Sequence, residues 1–201
     1  MRRETRRLTE GAMASGIYAI LLLLSHYTPL GTVTALLLPV PFVVYAARHR
    51  VGDVAAVVGV STLLTLLLTG VVSLFLPLWS GLTGGVMGTI YRWRRDAYLA
   101  FSAGMMSTLL SFLALMAVMS LLFSVNLLTE MRQLMEESVR MSRSLLSGVG
   151  VTPPDMDMLE QLPDMFVRMF PFLLFFSSAV VSLFVHWIGG TILRRLGTPA
   201  P

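Results

Sequence analysis

The chain has 201 residues, of which 55% are hydrophobic and 13% charged, with a net charge of +4. A soluble domain carries about 25% charged residues, so a surface this poor in charge excludes a protein solvated by water alone. Cysteine is absent, which excludes disulfides and thiolate metal sites.

Every basic side chain is arginine, and the arginines stand in short clusters between apolar runs. That pattern reads as membrane topology, with the lipid bilayer as partner, and not as a nucleic-acid surface. The length suits one domain, an integral membrane domain over 1–201. A spanning helix needs roughly 20 apolar residues. The first run extends from Gly11 to Tyr27, behind the arginine-rich residues 1–10 with Arg2, Arg3, Arg6 and Arg7. The second covers Thr32 to Ala47 and is broken by Pro39 and Pro41. The third covers Val54 to Leu76. A tight LPLWS turn leads into a fourth, glycine-rich segment from Leu78 to Tyr91, which is short for a crossing. The fifth covers Ala97 to Val125 and the sixth Val167 to Leu193. The expected fold is an all-α polytopic bundle of about six spans.

The remaining arginine clusters are Arg48 with Arg50, Arg92 with Arg94 and Arg95, and Arg194 with Arg195. With the N-terminus inside, six crossings bring all four clusters to the cytoplasmic side. The pattern argues that the short fourth segment spans or nearly spans. It also places both termini in the cytoplasm, in a multi-pass protein of a bacterial inner membrane. No small-x-small cleavage site closely follows the first apolar run, so that run is expected to stay as the first span.

The long loop, 126–165, then lies outside the cell membrane and is acidic, with Glu130, Glu136, Glu137, Asp155, Asp157, Glu160 and Asp164. Placing Leu127 to Leu146 on a helix segregates leucine, methionine and valine from the charged residues. Such an amphipathic helix lies at an interface or caps the bundle, and SGVGVTPPD ends it. EESVR, at Glu136 to Arg140, superficially resembles the paired-glutamate motif of intramembrane prenyl-protein proteases, but its spacing is wrong. It reads as an i,i+4 pair of Glu136 with Arg140.

Candidate chemistry is sparse. His26, His49 and His186 have no metal-ligand spacing. No GxSxG motif and no lysine is present, and the middle of each span carries no carboxylate. Catalysis and proton-coupled transport therefore lose support, and the expectation is a protein that is not an enzyme and uses no cofactor. Trp79, Tyr91, Trp93 and Trp187 suit interfacial anchoring, with Trp79 in the outer turn also a candidate ligand contact. Small residues are the more informative signal. Gly11 and Ser15, Ala12 and Gly16, and Ser15 and Ala19 make a smooth strip on the first span, where another helix can approach closely. Gly81, Gly84, Gly85 and Gly88 thin the fourth segment in the same way.

The run RRLTEGAMASGIYAILLLL, then LLLPVPFVVYAARHRVG, and finally ILRRLG resemble the YybS-like family of predicted bacterial membrane proteins. Members of that family often continue with further spans, which implies a short or truncated member here. A more distant resemblance is to the S components of energy-coupling factor (ECF) transporters. Six spans, cytoplasmic termini, about 200 residues and the small-residue strip carry it. It implies a subunit that binds a small molecule from outside and works with a transmembrane coupling subunit and ATPases. Gly11, Ala12, Ser15, Gly16 and Ala19 would then dock the coupling helices. His26, Tyr27, Trp79, Asn126 and Arg168 would lie near the ligand. The alternative is a membrane scaffold with no small-molecule site, recruiting partner proteins or forming homo-oligomers. Polar residues lining a closed outer cavity would count against the scaffold, and a cavity filled with leucine and methionine would favour it.

Overall fold

A computed structural model describes residues 2–29, 31–94, 96–148 and 156–197. Among these the regular secondary structure is entirely helical. In chain order the helices are α1 (Arg2–Tyr27), α2 (Gly31–Leu37), α3 (Val40–Ala46), α4 (Val51–Thr69), α5 (Phe75–Trp93), α6 (Ala97–Phe123), α7 (Leu127–Gly148) and α8 (Met156–Arg195). A 3-10 turn, Val71–Leu74, leads into α5. Five stretches are long and apolar enough to cross a membrane: 4–27, 51–69, 71–93, 97–121 and 161–195. The α2–α3 pair, 31–46, is apolar but shorter. The helices group into two compact units, Met1–Phe112 with Ser177–Pro201, and Leu113–Phe176.

In the first unit, contacts along α1 show how each neighbour runs. Gly31, at the start of α2, packs on the Ser25 carbonyl near the end of α1. His49, just after α3, bonds to Glu10 near its beginning. Those two points of α1 are fifteen residues apart, about 22 Å at 1.5 Å per residue. The α2–α3 pair therefore runs back along α1. It breaks because Pro39 and Pro41 lack backbone donors; the Leu38 N–H bonds instead to the Ala35 carbonyl at 3.1 Å, a tightened last turn.

Helix α4 ends at Gly70, whose φ of 83° and ψ of −176° lie in a region open essentially only to glycine. This corrects the expected third and fourth spans. The break falls at Gly70, not after Leu76, and LPLWS lies inside α5, not in an outer turn. Pro77 sits in the first turn of α5, where its missing N–H is one that no helical carbonyl would have accepted. The fourth span is thus of full length.

Helices α3 and α5 touch backbone to backbone. A Cβ on Gly84 would stand 2.3 Å from the Pro39 carbonyl oxygen, and one on Gly88 would stand 2.4 Å from that of Val43. Glycine four residues apart is what such an approach needs. On another face, Gly81 admits the Val58 side chain of α4. Tyr18, Leu22, Leu38 and Phe42 fill one buried cluster among α1, α3 and α4. Val43, Trp79, Met87, Tyr91, Val185 and Leu193 fill a second around α3, α5 and α8.

The second unit holds α7 with the adjoining parts of α6 and α8. Helix α7 forms where the amphipathic pattern predicts it. Glu136 pairs with Arg132 at 3.0 Å, one turn earlier, and not with Arg140 as expected. Arg132 reaches Asp164 of α8 as well, at 2.8 Å. Most of the expected SGVGVTPPD break, residues 149–155, lies outside the described residues. Helix α8 begins well before Val167 and carries Pro163 and Pro171 within it.

Candidate functional site

Described members of the arginine clusters on α1, after α3 and on α5 gather at one end of the first unit, with the chain after α8. Arg7 on α1 donates to the Asp53 carboxylate on α4. Arg92 on α5 donates to the His49 carbonyl. Arg48 donates to the Leu196 carbonyl after α8 at 3.2 Å. At the centre, Glu10 bonds His49 Nε2 at 2.8 Å and accepts from Arg6 at 2.7 Å. Tyr45 stacks on the His49 ring at a centroid distance of 4.3 Å, and its hydroxyl donates to the Arg7 carbonyl at 3.4 Å. Charged and ring groups from α1, α3, α4 and α5 thus close one end, through bonds stronger than neutral ones where a charge takes part.

Two grooves flank α1 beside this network. One, of about 510 Å3, lies between α1 and α4. It is lined by small residues (Gly11, Ala12, Ser15, Ala56) with Glu4, Arg7 and Asp53 at its rim. The other, of about 460 Å3, lies among α1, α2–α3 and the end of α8. Its walls are large and apolar, including Met13, Ile17, Leu37, Ile188 and Ile192, and Glu10 and Arg48 stand at one end.

Deeper in the unit, buried hydroxyls predominate among the described polar side chains, among them Ser61, Thr65, Ser80, Thr83, Ser107 and Thr108. Tyr18 and Thr65 share a hydrogen bond of 3.2 Å, and Thr83 and Thr108 share one of 3.1 Å. Ser182 donates to the Phe101 carbonyl at 2.9 Å. These bonds tie α1 to α4, α5 to α6, and α8 to α6. Ser61 Oγ, Trp79 Nε1 and Ser107 Oγ are buried without a hydrogen-bond partner among the described residues.

The expected docking strip divides. Gly11 and Ser15 are buried: a Cβ on Gly11 would meet Val57 at 3.1 Å and the Tyr45 hydroxyl at 3.3 Å. Ala12 and Gly16 face outward, with open space over Gly16, and Ala19 is half-buried. The expected ligand residues fall into three places. His26 and Tyr27 are exposed at the end of α1 remote from the arginines, edge to face at 5.1 Å. The Tyr27 hydroxyl reaches the Leu68 carbonyl at 3.5 Å. Trp79 is buried in α5 against Phe112. Asn126 and the exposed Arg168 belong to the second unit. The Asn126 side chain caps α7, accepting from the Leu128 and Thr129 amides. Tyr91, expected as an interfacial anchor, is instead buried and bonded to His186 Nδ1, whereas Trp93 and Trp187 are exposed.

Sequence reasoning missed the Glu10–His49 pair. Its signal was available: both residues end adjacent apolar runs on the arginine side, so antiparallel neighbours bring them level. The hydroxyl seam also left a trace, as Ser61 and Thr65, Ser107 and Ser111, and Ser178 and Ser182 each recur at i,i+4 in apolar runs.

Apolar helices, a hydroxyl-rich interior and arginines gathered at one end define a polytopic α-helical membrane protein. Residues 16–201 match the family described as predicted membrane protein (DUF2232), and the chain belongs to that family. It is similar to the uncharacterized protein YybS of Bacillus subtilis (strain 168), with 22% identity over 203 residues. That match covers 99% of this chain and 65% of the relative, so the chain spans less than two thirds of the relative's length. No solved structure matches the chain significantly.

Proposed function

We propose that this protein is a non-enzymatic subunit of a membrane complex, oriented with its arginine end in the cytoplasm, that docks a partner helix on α1. The observation that carries the reading is the groove between α1 and α4. Its small walls at Ala12, Ser15 and Ala56, and the open space over Gly16 and Gly59, suit close helix approach. In its finer form the partner is an ECF-type coupling subunit with ATPases, and the chain hands it a small molecule captured on the opposite side. The unpartnered Ser61, Trp79 and Ser107 groups support a polar interior that could receive one. A second reading, a scaffold with no small-molecule site, is favoured by the leucine, isoleucine and methionine walls of the groove at α8.

Co-purification tests the docking. Tagged wild-type chain should retain a coupling subunit and its ATPases, and Ala12→Leu with Gly16→Leu should release them without lowering the melting temperature. Loss of nothing on that double substitution would sink the docking reading. A small molecule that raises the melting temperature would select the transporter form; retention of partners with no such molecule would select the scaffold.

A further inference from the structure

We infer that the exposed stripe of α7 is the seam of a parallel homodimer, closed by the same helix of a second copy. The stripe has its own period. Leu127, Met131, Leu134, Ser138, Met141 and Leu145 follow one another at alternating steps of four and three residues. That is the heptad spacing of a two-stranded coiled coil, with Leu127, Leu134 and Met141 at d and Met131, Ser138 and Leu145 at a. Leu134, Met141 and Leu145 are 62%, 61% and 66% exposed. The other apolar edge of the helix, Leu128, Met135, Val139 and Leu146, is half-buried, and Arg132 beside it reaches Asp164 of α8. One edge of α7 is thus used within the unit, and a narrow a/d stripe is left over.

Direction and charge select the occupant. Sixteen residues of α7 follow Arg132, and eight of α8 precede Asp164. Helices running the same way would part those ends by about 36 Å, more than the roughly 29 Å that residues 149–155 can bridge at full extension. Helix α7 therefore runs back against α8, which crosses the membrane further on. Two copies inserted alike then present α7 in parallel. In a parallel pair each g position faces e of the partner's next heptad. Glu130 then meets Met135 of the second copy and Glu137 meets Ser142, with no like charges opposed. An antiparallel pair would face g with g, glutamate toward glutamate. A lipid surface fits this stripe less well. Interfacial helices carry a basic polar face, whereas α7 sets three glutamates against three arginines, and Glu130 and Glu137 border the stripe where headgroup phosphates would lie. The seam does not depend on docking at α1.

The chain has no cysteine, so single substitutions can be cross-linked in native membranes without background. Under mild oxidation, Leu134→Cys and Met141→Cys should each give a disulfide-linked dimer, because d positions of a parallel pair face their own copies. Gln133→Cys and Arg140→Cys, at c on the far side of the helix, should give none. Leu134→Glu with Met141→Glu should shift the full chain in mild detergent from dimer to monomer by light scattering, with unchanged helical circular dichroism. Ser138→Leu, which fills the polar a position, should hold the dimer together at lower protein concentration. Cross-linking at no seam position, or equally at Gln133, would overturn the proposal. So would a dimer untouched by the two glutamates. A third refutation is a wild-type chain that is monomeric in nanodiscs, with a fluorophore attached at Leu134→Cys quenched by brominated lipid; the stripe would then lie on the membrane.

Discussion

Replacing Gly88 by alanine tests the account of how the first unit is held together. The added methyl would stand 2.4 Å from the Val43 carbonyl oxygen, 2.7 Å from the Ala46 Cβ and 3.0 Å from the Ala47 nitrogen. Carbon contacts are ordinarily at about 3.5–4.0 Å, and here the obstructing atoms are mainly backbone, so no side chain can swing aside. Helices α3 and α5 must part by roughly 1 Å. A gap of about that size forfeits a quarter to a half of each dispersion contact along the seam. Overpacking of this kind typically costs about 1–3 kcal/mol. For a chain of this length that corresponds to a fall of very roughly 2–12 °C in melting temperature. Gly84→Ala, facing the Pro39 carbonyl oxygen at 2.3 Å, should behave alike. Gly16 and Gly59 provide the control. Neither has an atom within 4 Å of an added methyl, so alanine there should gain helix propensity, at most about 1 kcal/mol. Intrinsic-fluorescence melting in mild detergent reads all four. The reasoning is refuted if Gly88→Ala melts with the wild type, or if Gly16→Ala is as damaging.

Other substitutions probe the remaining contacts. Glu10→Gln and His49→Gln should each lower stability by about 1–3 kcal/mol, since each strands a partly buried partner, and the double variant should lose less than their sum; full additivity would show the pair uncoupled. Thr83→Val and Thr108→Val should couple by about 0.6 kcal/mol, and by no more than about 1.7, in a double-mutant cycle read by denaturation in mixed micelles. Gly70→Ala should cost about 1–3 kcal/mol by forcing a side chain into a glycine-only conformation; an unchanged melting temperature would mean that the α4–α5 junction is not fixed as described. Asn126→Ala should remove the α7 cap and about 1 kcal/mol of helix stability, visible as lost helical circular dichroism.

Much of this architecture is legible in the sequence because lipid imposes few solutions. A run such as Val51–Thr69 must close its own backbone hydrogen bonds, and a helix does so. Arginine clusters mark one end, glycines at four-residue spacing mark close approach, and the segregated pattern of Leu127 to Leu146 marks α7. Turn chemistry was harder to read. Pro77 looks like a breaker but starts a helix, while Gly70 looks innocuous and ends one, because the decisive quantity is a backbone angle that residue type only permits. Pairing across elements was hidden for a related reason. Glu10 and His49 lie 39 positions apart, and only the antiparallel return of α2–α3 brings them level. Arg132 bridges Glu136 and, on another helix, Asp164, and local spacing cannot reveal the second partner. Whether Gly11 or Gly16 faces a neighbour is likewise a matter of helix rotation, and periodicity gives the strip without its bearing.

The contacts of His49 have a consequence for biosynthesis. Its side chain is fastened to the first helix and its carbonyl to the fifth, while Arg7 on the first is fastened to the fourth. All of those partners lie within the first 92 residues. A nascent chain that has released this much can close its polar end and its glycine seam before the later helices exist. What emerges afterwards adds the Leu196 contact of Arg48 and the core side chains Val185 and Leu193, so a defect at Gly88 or Glu10 falls in the part of the unit that is made first.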